Sequence, residues 1–125
     1  MKYAVICFTE RGAWVCRRLF HKLKETGEEC EAIIPKRFLR EEWKKEGLKE
    51  REEEFLSQWT GKMFAEKRAM IFVSATGIAV RAIAPWIRDK MTDPPVVTVD
   101  EGAHFVITEG LRDETFPERT LHAFG

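Results

Sequence analysis

The hydrophobic positions fall into short runs and stripes that alternate along the chain. Tyr3 to Phe8 is a continuous apolar run and predicts a strand buried on both faces. Thr9 can cap a following helix, and Glu10 suits the positive end of its dipole. In that helix Val15, Cys16, Leu19, Phe20 and Leu23 share one stripe, and Gly27 supplies a stop. Trp14 falls on the opposite face. Cys30 to Ile34 predicts a second strand, ended by Pro35. Lys36 to Glu54 is dense in both signs of charge and predicts a solvated, partly helical connection. Ser57 is a candidate cap for a helix with Trp59, Met63 and Phe64 inward. Ala69 to Val73 predicts a third strand, and the helix after Gly77 breaks at Pro85. Trp86 to Met91 can add a turn before Asp93-Pro94-Pro95. Val96 to Val99 and His104 to Ile107 flank Asp-Glu-Gly-Ala, a hairpin connection.

This alternation predicts an α/β domain: a three-layer α/β/α arrangement with a mostly parallel sheet of about five strands and an antiparallel C-terminal hairpin. Residues 1–107 form the expected domain. Residues 108–125 lack a clear period, carry a Phe-Pro break and are expected to be an irregular tail.

The chain has 125 residues, 44% of them hydrophobic, enough for one core. Lys plus Arg and Asp plus Glu both total 21, giving zero formal net charge. That argues against a general nucleic-acid binder, while leaving room for a local basic pocket. Cys7, Cys16 and Cys30 form no CxxC pair and read as reduced, mostly buried thiols. No stretch approaches the roughly 20 apolar residues of a membrane span. A cytoplasmic protein without a membrane partner is expected.

Candidate chemistry gathers where strands run into helices. In Ser74-Ala75-Thr76-Gly77 the residues are small, so a ligand can approach the backbone. Thr76 is placed to cap the helix or to serve a ligand. Arg81 lies one turn further, among Ile78, Ala79, Val80, Ala82, Ile83 and Ala84, and a buried guanidinium there needs a partner. That partner is either an internal carboxylate, Asp93 or Asp100, or an anionic ligand. Thr9-Glu10-Arg11-Gly12 holds the matching place after the first strand. Glu10 is a candidate general base and Arg11 a candidate anion contact; a plain solvated helix start is the alternative. Turn chemistry accounts for Asp93 and Asp100. His21, His104 and His122 show no metal-ligand spacing with the cysteines, so no metal site is expected. Ser57 and Ser74 are outside any GxSxG motif.

The run Ala-Thr-Gly-Ile-Ala-Val-Arg-Ala-Ile-Ala-Pro, then Asp89-Lys90, Thr92-Asp93-Pro94, Val-Val-Thr-Val-Asp-Glu and Phe105-Val106-Ile107, resembles the N-terminal domain of the cobalamin biosynthesis protein CbiG family. The opening Ala-Val-Ile-Cys-Phe-Thr-Glu-Arg-Gly looks like that family's start. The resemblance runs from Met1 to about Ile107. It implies a cobalt-precorrin-5A hydrolase of anaerobic vitamin B12 synthesis, which opens a δ-lactone and expels acetaldehyde. The implied partner is a cobalt-precorrin macrocycle rimmed by carboxylates. No separate cofactor is implied, because the cobalt travels in the substrate. Thr9, Arg11, Ser74, Thr76, Gly77 and Arg81 are the expected substrate contacts, and Glu10 and Asp100 the candidate proton carriers. Where the family continues with Ser-Gly-His-Leu-Gly-Gly-Ala-Asn, this chain has Thr-Glu-Gly-Leu-Arg-Asp-Glu-Thr-Phe. The family's middle and C-terminal parts would then come from a separate chain. A non-catalytic corrinoid-binding or docking module and a generic small-anion-binding domain are the alternatives, and homo-oligomerisation is left open.

Overall fold

A computed structural model describes residues 1–52, 56–89 and 91–102, together with the backbone of 105–107. The expected tail, His104 and His122 lie outside the described residues. The strands are β1 (Lys2–Cys7), β2 (Glu29–Ile34), β3 (Lys49–Glu50), β4 (Ala69–Val73), β5 (Val96–Val99) and β6 (Phe105–Ile107). The helices are α1 (Glu10–Glu25), α2 (Glu41–Glu46), α3 (Leu56–Ala65) and α4 (Thr76–Ile83).

Five strands, in the order β3-β2-β1-β4-β5, are parallel throughout. The expected hairpin is not established. β5 runs parallel to β4 and belongs to the parallel body of the sheet. The backbone of β6 lies antiparallel to β5, but residues 103 and 104 of the connection lie outside the described residues.

Period-two alternation within the apolar strands sorts side chains into two cores. Tyr3, Val5 and Cys7 of β1, with Ile71 and Val73 of β4, pack under α1 together with Trp43 and Leu48. Ala4 and Ile6, with Met70 and Phe72, pack on the other face against Trp59, Met63, Ala79, Ala82 and Ile83 of α3 and α4. These are the three expected layers, and both faces of the central strands are covered.

The charged connection is more ordered than its composition predicts. Lys36–Phe38 makes one 3-10 turn, and α2 then buries Trp43. Gly47 takes φ 110°, the left-handed stop that turns the chain into β3. β3 pairs only Ile33↔Lys49 and Ile34↔Glu50, too short to show alternation in sequence.

From the central pair β1/β4 the chain crosses outward in opposite directions, through α1 to β2 and through α4 to β5. Right-handed crossovers then place α1 and α4 on opposite faces. Between the C-terminal ends of β1 and β4 the two helix starts part, leaving the crevice in which open α/β sheets bind ligands.

Candidate functional site

The turns after β1 and β4 meet at this crevice, because Cys7 and Val73 are register partners. On the β1 side, Thr9 caps α1 as expected: its Oγ1 accepts the Gly12 N–H at 3.0 Å. The same hydroxyl donates to the Glu101 carboxylate, just beyond β5. Arg11 Nε stands 3.9 Å from the other Glu101 oxygen. Glu101, in the Asp-Glu-Gly-Ala connection, thus ties the ends of β1 and β5 together. Gly12 is needed here, since a Cβ would come within 2.9 Å of Thr9 Oγ1.

The β4 side corrects two expectations. Thr76 does not cap α4; the capping position is Ala75, which has no side-chain oxygen to offer. Thr76 is instead the first helical residue, with its hydroxyl 3.4 Å from that of Thr98. Ile78 N–H is taken up by Ala75 O at 3.1 Å. The Thr76 and Gly77 amides precede any carbonyl the helix could offer them, and both residues are exposed. Ser74 is half-buried and its Oγ donates to the Ala75 carbonyl at 3.0 Å.

Arg81 is the second correction. α4 buries only Ala79, Ala82 and Ile83, and Arg81 is exposed beside a 39% exposed Val80. Burial therefore does not force a partner on it. Among the described residues it has no ion pair with Asp93 or Asp100. Its guanidinium folds back along the helix, with Nη1 3.5 Å from where a Gly77 Cβ would stand. The cation and the exposed amides thus share one spot. Asp93 and Asp100 serve turns as expected: Asp93 Oδ2 accepts from the Arg88 and Asp89 amides at 2.7 and 3.1 Å, and Asp100 Oδ1 from Gly102 N–H at 2.9 Å. Asp100 is thus partly committed, whereas Glu10 is exposed at the start of α1.

Further along the same edge, β2 exits into the 3-10 turn. There Glu10, Trp14, Arg37, Phe38, Leu39, Arg40 and Trp43 line a pocket of about 330 Å³. Beside it, the Glu46 carboxylate accepts from Arg17 Nε and Nη2, each at 2.9 Å, and lies 2.6 Å from His21 Nε2. Its carboxyl is pulled down to about 2, chiefly by the Arg17 hydrogen bonds and then by His21. Sequence reasoning missed this cluster; the alternation of Arg37-Phe38 and Arg40 with Trp43 was its only trace. Cys7 and Cys16 are buried free thiols. Burial raises the Cys16 thiol and pushes that of Cys30 up to about 12. Among the described residues no group of His, Cys, Asp and Glu is arranged to hold a metal ion. No described helix is long and apolar enough to cross a membrane.

Residues 58–109, which include β4, α4 and the Ser74–Gly77 turn, match the family described as Cobalamin synthesis G N-terminal. A Cobalt-precorrin-5A hydrolase of Salmonella typhimurium strain LT2 is 35% identical over 105 residues, 84% of this chain. The likeness to the cobalamin synthesis G N-terminal family is thus carried by residues 58–109 and, through this relative, extends over most of the chain. A second relative, the Cobalt-precorrin-5A hydrolase of Priestia megaterium, is 39% identical over 46 residues, 37% of this chain. The chain matches only 27% of the first relative's length and 12% of the second's. No solved structure matches it.

Proposed function

We propose that this chain acts in anaerobic cobalamin synthesis as the N-terminal part of a cobalt-precorrin-5A hydrolase, taking a cobalt-loaded, carboxylate-rimmed macrocycle as substrate. One observation carries this reading beside the likeness to the two hydrolases: two strand-to-helix turns converge at the switch point with Arg81 folded over exposed helix-start amides. A substrate carboxylate there meets a guanidinium and backbone donors together, the charge-assisted arrangement that binds carboxylates well. Arg11 and Thr9 offer a second such contact once Glu101 yields it.

The chemistry divides into two steps. Water adds to the lactone acyl carbon as its proton goes to the Glu10 carboxylate; the acyl C–O bond then breaks and the leaving oxygen takes that proton back, which leaves a carboxylic acid and a hydroxyl group. The Thr76 and Gly77 amides stabilise the oxyanion that forms on the way. The freed hydroxyl then passes its proton to the Glu10 carboxylate and the adjoining C–C bond breaks. The two-carbon fragment leaves as acetaldehyde, and the electron pair stays on the ring carbon.

The test is to mix the protein with cobalt-precorrin-5A, following its visible spectrum and assaying acetaldehyde. The proposal expects a spectral change and acetaldehyde release. In Arg81→Leu both should weaken roughly tenfold, while unfolding stability stays within about 0.5 kcal/mol, as for an exposed side chain. A spectral change without acetaldehyde would reduce the chain to a binding module. No interaction at all would overturn the reading.

A further inference from the structure

The pocket between the start of α1 and the connection after β2 lies outside the two turns just described, yet adjoins them. Glu10, which lines it, stands between Thr9 and Arg11 of the β1 turn. β1 and β2 are parallel neighbours, so the pocket opens at the same edge of the sheet as the switch point.

Its walls are unusual in composition. Trp14 is 47% exposed, a large apolar ring left facing solvent. It meets Trp43 edge-on at 4.9 Å between ring centroids. The Arg40 guanidinium lies 4.8 Å from the Trp14 centroid and 5.6 Å from that of Trp43. Arg37 stands over Phe38 at 4.8 Å. Stacking holds a guanidinium by its face and leaves its N–H edge to donate. Arg17 shows the contrast: it stacks on Trp43 as well, at 5.5 Å, but its edge is spent on Glu46. Among the described residues neither Arg37 nor Arg40 has a carboxylate partner. Arg51 adds a further cation over Phe8 at the same edge.

A pocket with an exposed indole wall and two oriented, unspent guanidinium edges suits a flat ring system bearing carboxylates. The ring packs on Trp14, and the acid groups take the Arg37 and Arg40 edges. An isolated inorganic anion would leave the indole unused, and a neutral aromatic would leave the cations unused. We propose that Trp14, Arg37 and Arg40 form an anchoring subsite for the carboxylate rim of the macrocycle, gripping it on the β2 side while its reacting edge lies over the switch point. This rests on the macrocycle being the ligand. It assigns specificity to one residue of α1 and two of the charged connection, none of which has a part in the chemical steps.

Uroporphyrin, a tetrapyrrole ring carrying carboxylates around its rim, is the probe. Its visible absorbance is titrated with the full chain, with a cationic porphyrin as the charge-reversed control. Uroporphyrin is expected to bind and the cationic porphyrin not. Arg37→Ala and Arg40→Ala should each weaken binding roughly tenfold, and Trp14→Leu should weaken it too. Arg88→Ala, beyond α4, should not, and circular dichroism verifies that each variant is folded. The inference is overturned if uroporphyrin does not bind, if the cationic porphyrin binds as well, or if Arg88→Ala costs as much as the pocket variants. Affinities of the pocket variants within twofold of the unaltered protein would overturn it too. Acetaldehyde release is scored separately. Turnover with unperturbed pocket variants removes the subsite and keeps the hydrolase reading. Pocket-dependent binding without turnover does the reverse.

Discussion

Gly61 is in the interior of α3, where alanine would ordinarily be better by about 1 kcal/mol. We predict that Gly61→Ala nevertheless destabilises the protein. A Cβ at this position would come within 2.5, 2.7 and 2.8 Å of Trp86 Cζ2, Cη2 and Cε2, so the ring must retreat by roughly 1 Å to restore normal contact. The ring is not free to do so without loss, because its Nε1–H donates to Ser57 O at 2.8 Å. Losing that bond costs about 0.5–1.5 kcal/mol, and overpacking about 1–3 kcal/mol. Trp86 is only half-buried and can swing outward, which puts the overpacking cost at the low end. Set against the helix gain, the net loss is about 0.5–1.5 kcal/mol. The decisive assay is a double-mutant cycle by urea unfolding, followed by far-ultraviolet circular dichroism. In a Trp86→Ala background, Gly61→Ala should become stabilising by up to about 1 kcal/mol. A Gly61→Ala variant more stable than the parent, or a penalty that persists without the Trp86 ring, would refute the reasoning. The contact matters for function because Trp86 fastens α3 to the far end of the helix whose start forms the candidate site.

Other expectations follow from the same geometry. Thr9→Val keeps the side-chain shape but removes the α1 cap and the Glu101 acceptor's partner, and should lower unfolding free energy by about 1 kcal/mol in urea titrations. Glu46 has a carboxyl held at about 2 instead of its ordinary 4.5. Its contribution is therefore complete above pH 4.5 and is lost as pH falls towards 2. Glu46→Gln should lower the urea midpoint at neutral pH, and the gap from the parent should close across that window; a gap independent of pH would contradict the assignment.

Much of the fold was legible because its central strands are buried on both faces and so appear as unbroken apolar runs. Tyr3–Phe8, Cys30–Ile34, Ala69–Val73 and Val96–Val99 all coincide with strands to within a residue. The Thr9 cap was readable because it depends only on neighbours a few residues away. What failed depended on distant contacts. β3 is two residues long and exists only because Ile33 and Ile34 pair with it. Trp43 and Leu48 are buried because the connection folds back onto α1, which no local period announces. Arg81 looked buried because its neighbours are apolar, yet α4 turns only one stripe inward. The two candidate turns were legible because an apolar strand run passing into a helix start leaves a local signature. The Trp14–Arg40 pocket was not, since residues from α1 and from the charged connection meet there only once the sheet has formed.

The most direct test of the switch-point site is a backbone amide nuclear magnetic resonance titration with cobalt-precorrin-5A. The account predicts that Thr76 and Gly77 shift or broaden first, together with Thr9 to Gly12, and that Arg81→Leu suppresses the response at the α4 start. Unmoved Thr76 and Gly77 resonances in a protein that demonstrably binds the macrocycle would contradict it.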